Sequence, residues 1–453
     1  MTATLFARTL ASEAMLDVFS DRALVAAMLA FEAALADAEA AEGIVPKDAA
    51  AAIVAATRAE VDVDQLVAAA RTAGSIAIPL VKTLTAAVTA RDPAAAAYVH
   101  WGSTSQDVID TAMVVVTGRA LDLIARDLDR LVDALVALVR TQRSTPVLAR
   151  TLLQPAQVVS LGFKAIAWVA PLVRARERIA CARDAALKLQ LGGAVGTLGA
   201  LGDKRDAVVQ RVADRLGVRA ADPWHVQRDD WVALGCEVAI LCGSLAKIGT
   251  DVALLAQGEV GEVAEPAGEG RGGSSAMPQK RNPVAALAAI AAGVRAPQHA
   301  ATLLAAMRQA HERGLGDWQA ELAEWPALFL SAHGALVALA DATAGIEVDE
   351  ARMRANVARQ RGTVFAEAAA ALIAPTLGKQ KAASLVGALA ARAVAGDVDL
   401  DVLVRADPAF AGVAADAIAA AFDVDAAARR AGDVAIARLD RLLAAPTISG
   451  DSR

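Results

Sequence analysis

Residues 113–143 read MVVVTGRALDLIARDLDRLVDALVALVRTQR, and this stretch decides the fold class. It holds no proline and one glycine, Gly118. Leu121, Ile124, Leu128, Leu131, Leu135 and Leu138 recur at three- and four-residue steps, which is one face of an α-helix. Arg119, Asp122, Arg126, Asp127, Asp129, Arg130 and Asp133 lie between them. Pro146 marks the stop. A helix of this length exceeds the globular average and rarely stands alone.

The same periodicity recurs along the chain. It predicts helices over 23–41, ending at Gly43; 157–189, with Pro171 as a kink point; 229–257; 283–307, opened by Pro283 and bent at Pro297; and 318–344, with Pro326 inside. The five in the middle of the chain, 113–143 and the last four of these, predict a long bundle suited to sharing between subunits. Two irregular segments interrupt them. Residues 192–224 are Gly-rich and contain Asp-Pro-Trp. Residues 259–282 carry Gly261, Gly268, Gly270, Gly272 and Gly273. A loop that long inside a helical protein is unusual and tends to be functional or disordered. Beyond Ile346 the helices shorten, with breaks at Gly362, Gly378, Gly396 and Pro408. The expected fold is all-α in three domains. Residues 1–110 form an N-terminal helical domain, 111–345 a central long-helix bundle with the loop, and 346–453 a small C-terminal helical domain.

Composition fits this reading. Apolar residues make up 56% of the 453, much of it alanine, the best helix former and small enough for close helix packing. A net charge of −6 with no Lys/Arg cluster excludes general nucleic-acid binding, so an anionic substrate would need local cations. Cys181, Cys236 and Cys242 lie in apolar stretches, odd in number and without CxxC. They read as buried free thiols of a reducing cytoplasm, not as metal ligands. The start, MTATLFARTLASEAM, lacks the basic-then-apolar order of a secretory leader. Uninterrupted apolar stretches such as 327–340 fall short of the ~20 residues of a membrane span. A cytoplasmic, soluble protein with no membrane partner is expected.

The chemistry concentrates in GSSAMPQKRNP, residues 273–283. Glycine and proline shape a turn that gathers two hydroxyls, an ammonium, a guanidinium and an amide. Serine takes a carbon-bound proton only if its alkoxide is stabilised. Lys280 and the positive N-terminus of the helix after Pro283 are expected to do this. The loop resembles the signature of the fumarase/aspartase superfamily, GSSxMPxKxNP, at every defined position. That resemblance implies Ser274 as catalytic base, with Lys280 and Asn282 on a substrate carboxylate.

A second segment, HWGSTSQDVIDT at residues 100–111, resembles the superfamily's first substrate-binding region. The resemblance implies carboxylate contacts from Thr104 and Ser105, with His100 beside them. Asp107 and Asp110 share a helix face, though acids at a helix start favour its dipole without any ligand. In the third segment, RTLLQPAQ at 150–157, relatives carry a histidine that protonates the leaving group. Here Leu152 stands in its place, with Gln154 two residues on. Leucine cannot transfer a proton. A departing amine needs a general acid. A departing carboxylate, whose conjugate acid has a pKa near ~4, does not.

The chain is accordingly similar to one branch, the 3-carboxy-cis,cis-muconate cycloisomerases of aromatic-acid breakdown. IAIPLVKTL at 76–84, HERGLGDWQAE at 311–321 and GTVFAEA at 362–368 carry that likeness. It implies lactone formation from a small tricarboxylate, no cofactor or metal, and a homotetramer whose sites draw on three subunits. Arg313 is expected to hold an anionic group. His225, His299 and His333 read as packing or surface histidines. Another lyase of the superfamily, such as one acting on adenylosuccinate, and a catalytically silent scaffold are the alternatives.

Overall fold

The computed structural model describes residues 4–444, so the outer ends of the first and last expected domains lie outside the described residues. The protein is all-α, with a few short strands. The opening stretch lies in the helix Ser105–Thr141, which starts eight residues before the expected point. Leu121, Ile124, Leu128, Leu131 and Leu135 are at most 2% exposed and Leu138 is 7% exposed, as the periodicity requires. Four further long helices follow: Leu161–Ala186, Asp229–Ala256, Val284–Ala306 and Asp317–Ala344. Pro171, Pro297 and Pro326 lie inside three of them.

Three local expectations are corrected. Residues 157–160 are strand, not helix. Pro146–Thr151 and Gln154–Ser160 form an antiparallel hairpin that pairs Val147 with Val159 and Leu148 with Val158. β-Branched side chains favour that pleated pairing, and Ser160 Oγ then accepts from Phe163 N–H at 3.0 Å to start the helix. Within the Gly-rich 192–224 segment lies a helix, Arg205–Leu216, closed by Gly217 in the left-handed region. The thiols are free, but only Cys242 is buried; Cys181 is exposed. Burial pushes the Cys242 thiol up to about 12. Asp229–Ala256 and Asp317–Ala344 are also long and apolar enough to cross a membrane by length and composition. Counting uninterrupted apolar runs missed them, because isolated polar residues divide them.

The chain packs as two compact units. The first comprises Met1–Asp127, Ala175–Gly243 and Ala291–Val337. Its N-terminal helices close on Val45, Ile53, Leu84 and Val88. Trp231 stacks on Trp325 at 3.9 Å between ring centroids, and Trp325 Nε1–H donates to Thr117 Oγ1 at 2.9 Å. This unit also buries a charged triad. Arg228 Nη1 donates to Asp110 Oδ2 at 2.7 Å, Arg228 Nε donates to Glu321 Oε2 at 3.1 Å, and Trp318 Nε1–H completes Asp110 at 2.9 Å. Removing one member would leave an uncompensated buried charge.

The second unit comprises Leu128–Arg174, Ser244–Ile290 and Ala338–Arg453. It holds the hairpin and the signature loop. Small residues let its helices approach closely: a Cβ on Gly249 would meet Ala286 O at 2.9 Å. Its C-terminal helices, including Ala366–Leu377 and Lys379–Gly396, close on Ile373, Val386, Leu389, Val404 and Phe410.

Candidate active site

The first segment belongs to the first unit. Residues 100–104 form a turn before the helix that Ser105 opens. Asp107 makes this turn rigid. Its Oδ2 accepts from Thr104 N–H at 3.0 Å, reaching back as the third helical residue of a capping box does. The same carboxylate accepts from Gly192 N–H, Gly193 N–H, the Gln190 amide and His225 Nε2 at 2.8–3.0 Å. Asp107 and Asp110 are therefore saturated and buried, and they hold the segment in place without facing a ligand. His225 packs there too, as expected.

With Asp107 doing the capping, the hydroxyls of Thr104 and Ser105 are free for another task. Arg313 Nη1 donates to Thr104 Oγ1 at 2.8 Å and Nη2 to Ser105 Oγ at 2.9 Å; Nε reaches Gln106 Oε1 at 3.4 Å. The structure thus brings together three of the expected residues. Among the described residues Arg313 pairs with no carboxylate. Its partners in this turn are all neutral. Ser103 Oγ in the same turn, buried and without a partner among the described residues, was not singled out from the sequence. His100 stands at the head of the turn with φ 60, its Nδ1 2.6 Å from Glu32 Oε1.

The other expected residues, Gln154, Ser274, Lys280 and Asn282, belong to the second unit. Gln154 is exposed at the end of the hairpin. The turn itself is Leu152-Leu153, at φ 51 and φ 65, with the side chains 98% and 70% exposed. Two left-handed residues are what a two-residue hairpin turn demands, and Asn-Gly meets that demand without strain. Leucine does so at a cost of about 1–2 kcal/mol per residue. Beside it Arg150 clamps the fully buried Glu262 through both nitrogens at 2.9 and 2.7 Å. Arg150 is therefore an anchor of the hairpin.

The signature loop is held at its base and open at its crown. Asn282 N–H donates to Gly272 O at 2.8 Å, and Asn282 Nδ2 to Gly273 O at 3.2 Å. Gly272 has φ 65, and a Cβ there would meet Asn282 O at 2.5 Å, so only glycine fits. Arg281 is drawn away from the crown by Glu347, at 2.8 and 3.1 Å. Ser275 and Lys280 are exposed and Ser274 is half-buried.

One expectation about this loop is corrected. The N-terminus of Val284–Ala306 is not open to an anion. Glu265 already accepts from Ala285 N–H at 3.0 Å and Ala286 N–H at 2.9 Å. A distant carboxylate in sequence fills the place, which no local pattern announces. The loop supplies its own donors instead. Met277 N–H and Ala276 N–H point at Ser274 Oγ from 3.2 and 3.4 Å. Donors on a hydroxyl oxygen favour its ionised form.

His333 and His299 behave as packing groups: His333 Nε2 meets Asp127 Oδ2 at 2.9 Å, and His299 pairs with Glu324.

The chain is similar to known proteins along most of its length. The model of a family described as lyase matches residues 7–297. The chain is 47% identical over 405 residues to 3-carboxy-cis,cis-muconate cycloisomerase of Bradyrhizobium diazoefficiens, covering 89% of this chain and 90% of that protein. It is 45% identical to nitrosuccinate lyase of Streptomyces davaonensis over 81% of this chain and 79% of that one. The crystal structure of the 3-carboxy-cis,cis-muconate lactonizing enzyme from Pseudomonas putida superimposes with a TM-score of 0.90 at 40% identity, covering 98% and 100% of the two chains. The chain belongs to the lyase family of the fumarase/aspartase superfamily, in its 3-carboxy-cis,cis-muconate cycloisomerase branch.

Proposed function

We propose that this enzyme interconverts 3-carboxy-cis,cis-muconate and a carboxymuconolactone in aromatic-acid breakdown. The observation that carries the reading is Arg313, a guanidinium fixed on Thr104 and Ser105 with no carboxylate partner among the described residues. In this reading the three carboxylates of the substrate lie among Arg313, Thr104, Ser105, His100, Lys280, Asn282 and Gln154. One carboxylate adds to a double bond of the same molecule. The carbon beside another becomes part of an aci-carboxylate, whose charge the cations and hydroxyls stabilise. Ser274 delivers the proton to that carbon and removes it in the reverse direction, with the Ala276 and Met277 amides stabilising the alkoxide between the two. No step needs a metal or an organic cofactor.

The two groups of residues would meet in a homotetramer, each site drawing its three segments from three subunits. The exposed Leu152-Leu153 turn and the exposed loop crown support that. The three-domain organisation, 1–110, 111–345 and 346–453, belongs to the same reading, supported by the separate cores of the N-terminal and C-terminal helices. So does a soluble, cytoplasmic enzyme with no nucleic-acid or membrane partner.

Leu152 favours this reaction over amine elimination, and the relatives' names favour it over adenylosuccinate lyase and a silent scaffold. Leu152 equally suits a second reading, nitrite elimination from nitrosuccinate, because nitrite is also a weakly basic leaving group. Loss of muconate ultraviolet absorbance on adding purified enzyme is expected. Nitrite release from nitrosuccinate with no change in muconate absorbance would replace the first reading by the second.

A further inference from the structure

A charge network that no sequence pattern marks lies behind the first site segment. Glu32, on the helix Asp21–Ala41, is 1% exposed. Its Oε1 meets His100 Nδ1 at 2.6 Å and its Oε2 has no partner among the described residues. Seven residues on, two turns along the same helix face, Glu39 is equally buried and neither of its oxygens has a partner among the described residues. His100 Nε2 carries no hydrogen bond among the described residues. The ring stands on a left-handed backbone, four residues before Thr104.

A buried carboxylate with a single partner is tolerable only if that partner carries the opposite charge. Burial opposes a charged ring here, but the hydrogen bond and charge of Glu32, with Asp107 adding, outweigh it. The His100 pKa is raised above its ordinary value. Glu39 has no such partner. Burial first, then the charge of Glu32, push it up to about 8, so it keeps its proton at neutrality. The cations on neighbouring elements do not relieve the pair. Arg211 bonds Glu42, Arg215 bonds Asp37, and Lys204 donates to Glu42 O. Lys47, Asp48, Asp64 and Arg71, on the next two helices, are exposed to solvent.

We propose that Glu32 is a positioning residue for His100: it fixes the ring through Nδ1 and favours its protonated form, in which Nε2–H is the donor for a substrate carboxylate. This rests on the proposed place of His100 at the substrate. The protonated Glu39 keeps a second negative charge off the pair at neutral pH.

Glu32→Gln tests it, keeping shape and an acceptor while removing the charge. Loss of one charge-assisted contact is expected to raise KM about tenfold while kcat changes less. The alkaline limb of kcat/KM, set by loss of the His100 proton, is expected to move to lower pH, and Glu32→Asp to restore part of both. An unmoved limb and KM would overturn the proposal, even with a lowered Tm. If Glu32→Gln does not fold, NMR titration of the wild type with isotope-labelled histidine reads the ring directly, His100→Gln identifying its signal among the five histidines. A pKa above the ordinary ~6.5 is expected, and one at or below it overturns the proposal. Wild-type turnover of the muconate is measured first. Its absence would sink the reaction assignment, while the NMR titration would still decide the effect of Glu32 on the ring.

Discussion

Arg313 Nη2 donates to Ser105 Oγ at 2.9 Å across a separation of 208 residues. Together with the Thr104 contact this presents a fixed guanidinium beside two hydroxyls, with no carboxylate partner among the described residues. Arg313→Gln should therefore weaken substrate binding by ~1.5–3 kcal/mol, the range for hydrogen bonds to charged groups, or about ten- to a hundredfold in KM. Arg313→Lys should recover little, because an ammonium lacks the two-pronged geometry. Steady-state kinetics with the muconate at varied concentration decide it. An unchanged KM in Arg313→Gln would remove this residue from the site.

Ser274→Ala removes the proposed proton carrier and leaves the loop base intact, since Gly272, Arg281 and Asn282 make the anchoring contacts. A drop of about 10²–10⁴ in kcat is expected, with substrate still bound. Calorimetric titration of the variant alongside the rate assay checks both halves. Turnover near the wild-type level would reassign the base.

Leu152→His restores a group able to transfer a proton. Histidine adopts positive φ more readily than leucine does, so the hairpin should persist and Tm should hold. Lactone formation should be no faster than in the wild type, because a carboxylate needs no acid to leave or attack. Acceleration by the histidine would contradict the account of the missing acid.

Glu39 makes stability depend on pH in a definite sense. Its folded pKa, about 8, lies above the ordinary value of 4.5. The unfolded chain therefore releases this proton first. Glu39's contribution to stability is fully present below 4.5 and is lost as pH rises towards 8. Glu39→Gln, neutral at every pH, should gain on the wild type across that window and hold a constant advantage above it. The expected gain is ~1–3 kcal/mol at the alkaline end. Urea unfolding of both proteins at pH 5, 7 and 9 measures it, and a difference independent of pH would mean that Glu39 is ionised throughout.

Much of the molecule was readable without coordinates. Leu121, Ile124, Leu128, Leu131, Leu135 and Leu138 specify a helix and its buried face, because the α-helical repeat brings residues three and four apart onto one side. The glycines and prolines of residues 273–283 specify a turn, and the string of residue types there identifies the superfamily. Leu152 narrows the reaction by what leucine cannot do.

Tertiary structure alone decided the rest, because it depended on partners far away in sequence. Nothing near Asp107 says that it will staple Gly192 and Gly193 and so free Thr104 and Ser105 for Arg313. Nothing near Val284 says that Glu265 will fill the helix end, leaving the serine to its own loop amides. The valines at 158 and 159 joined a strand because Val147 and Leu148 were there to pair with. Nothing near Glu32, inside an amphipathic helix, says that the fold will bury it against His100. Periodicity and residue type are local properties of a chain. Burial, hydrogen-bond saturation and the charge of a titratable group are set by what the fold packs against them.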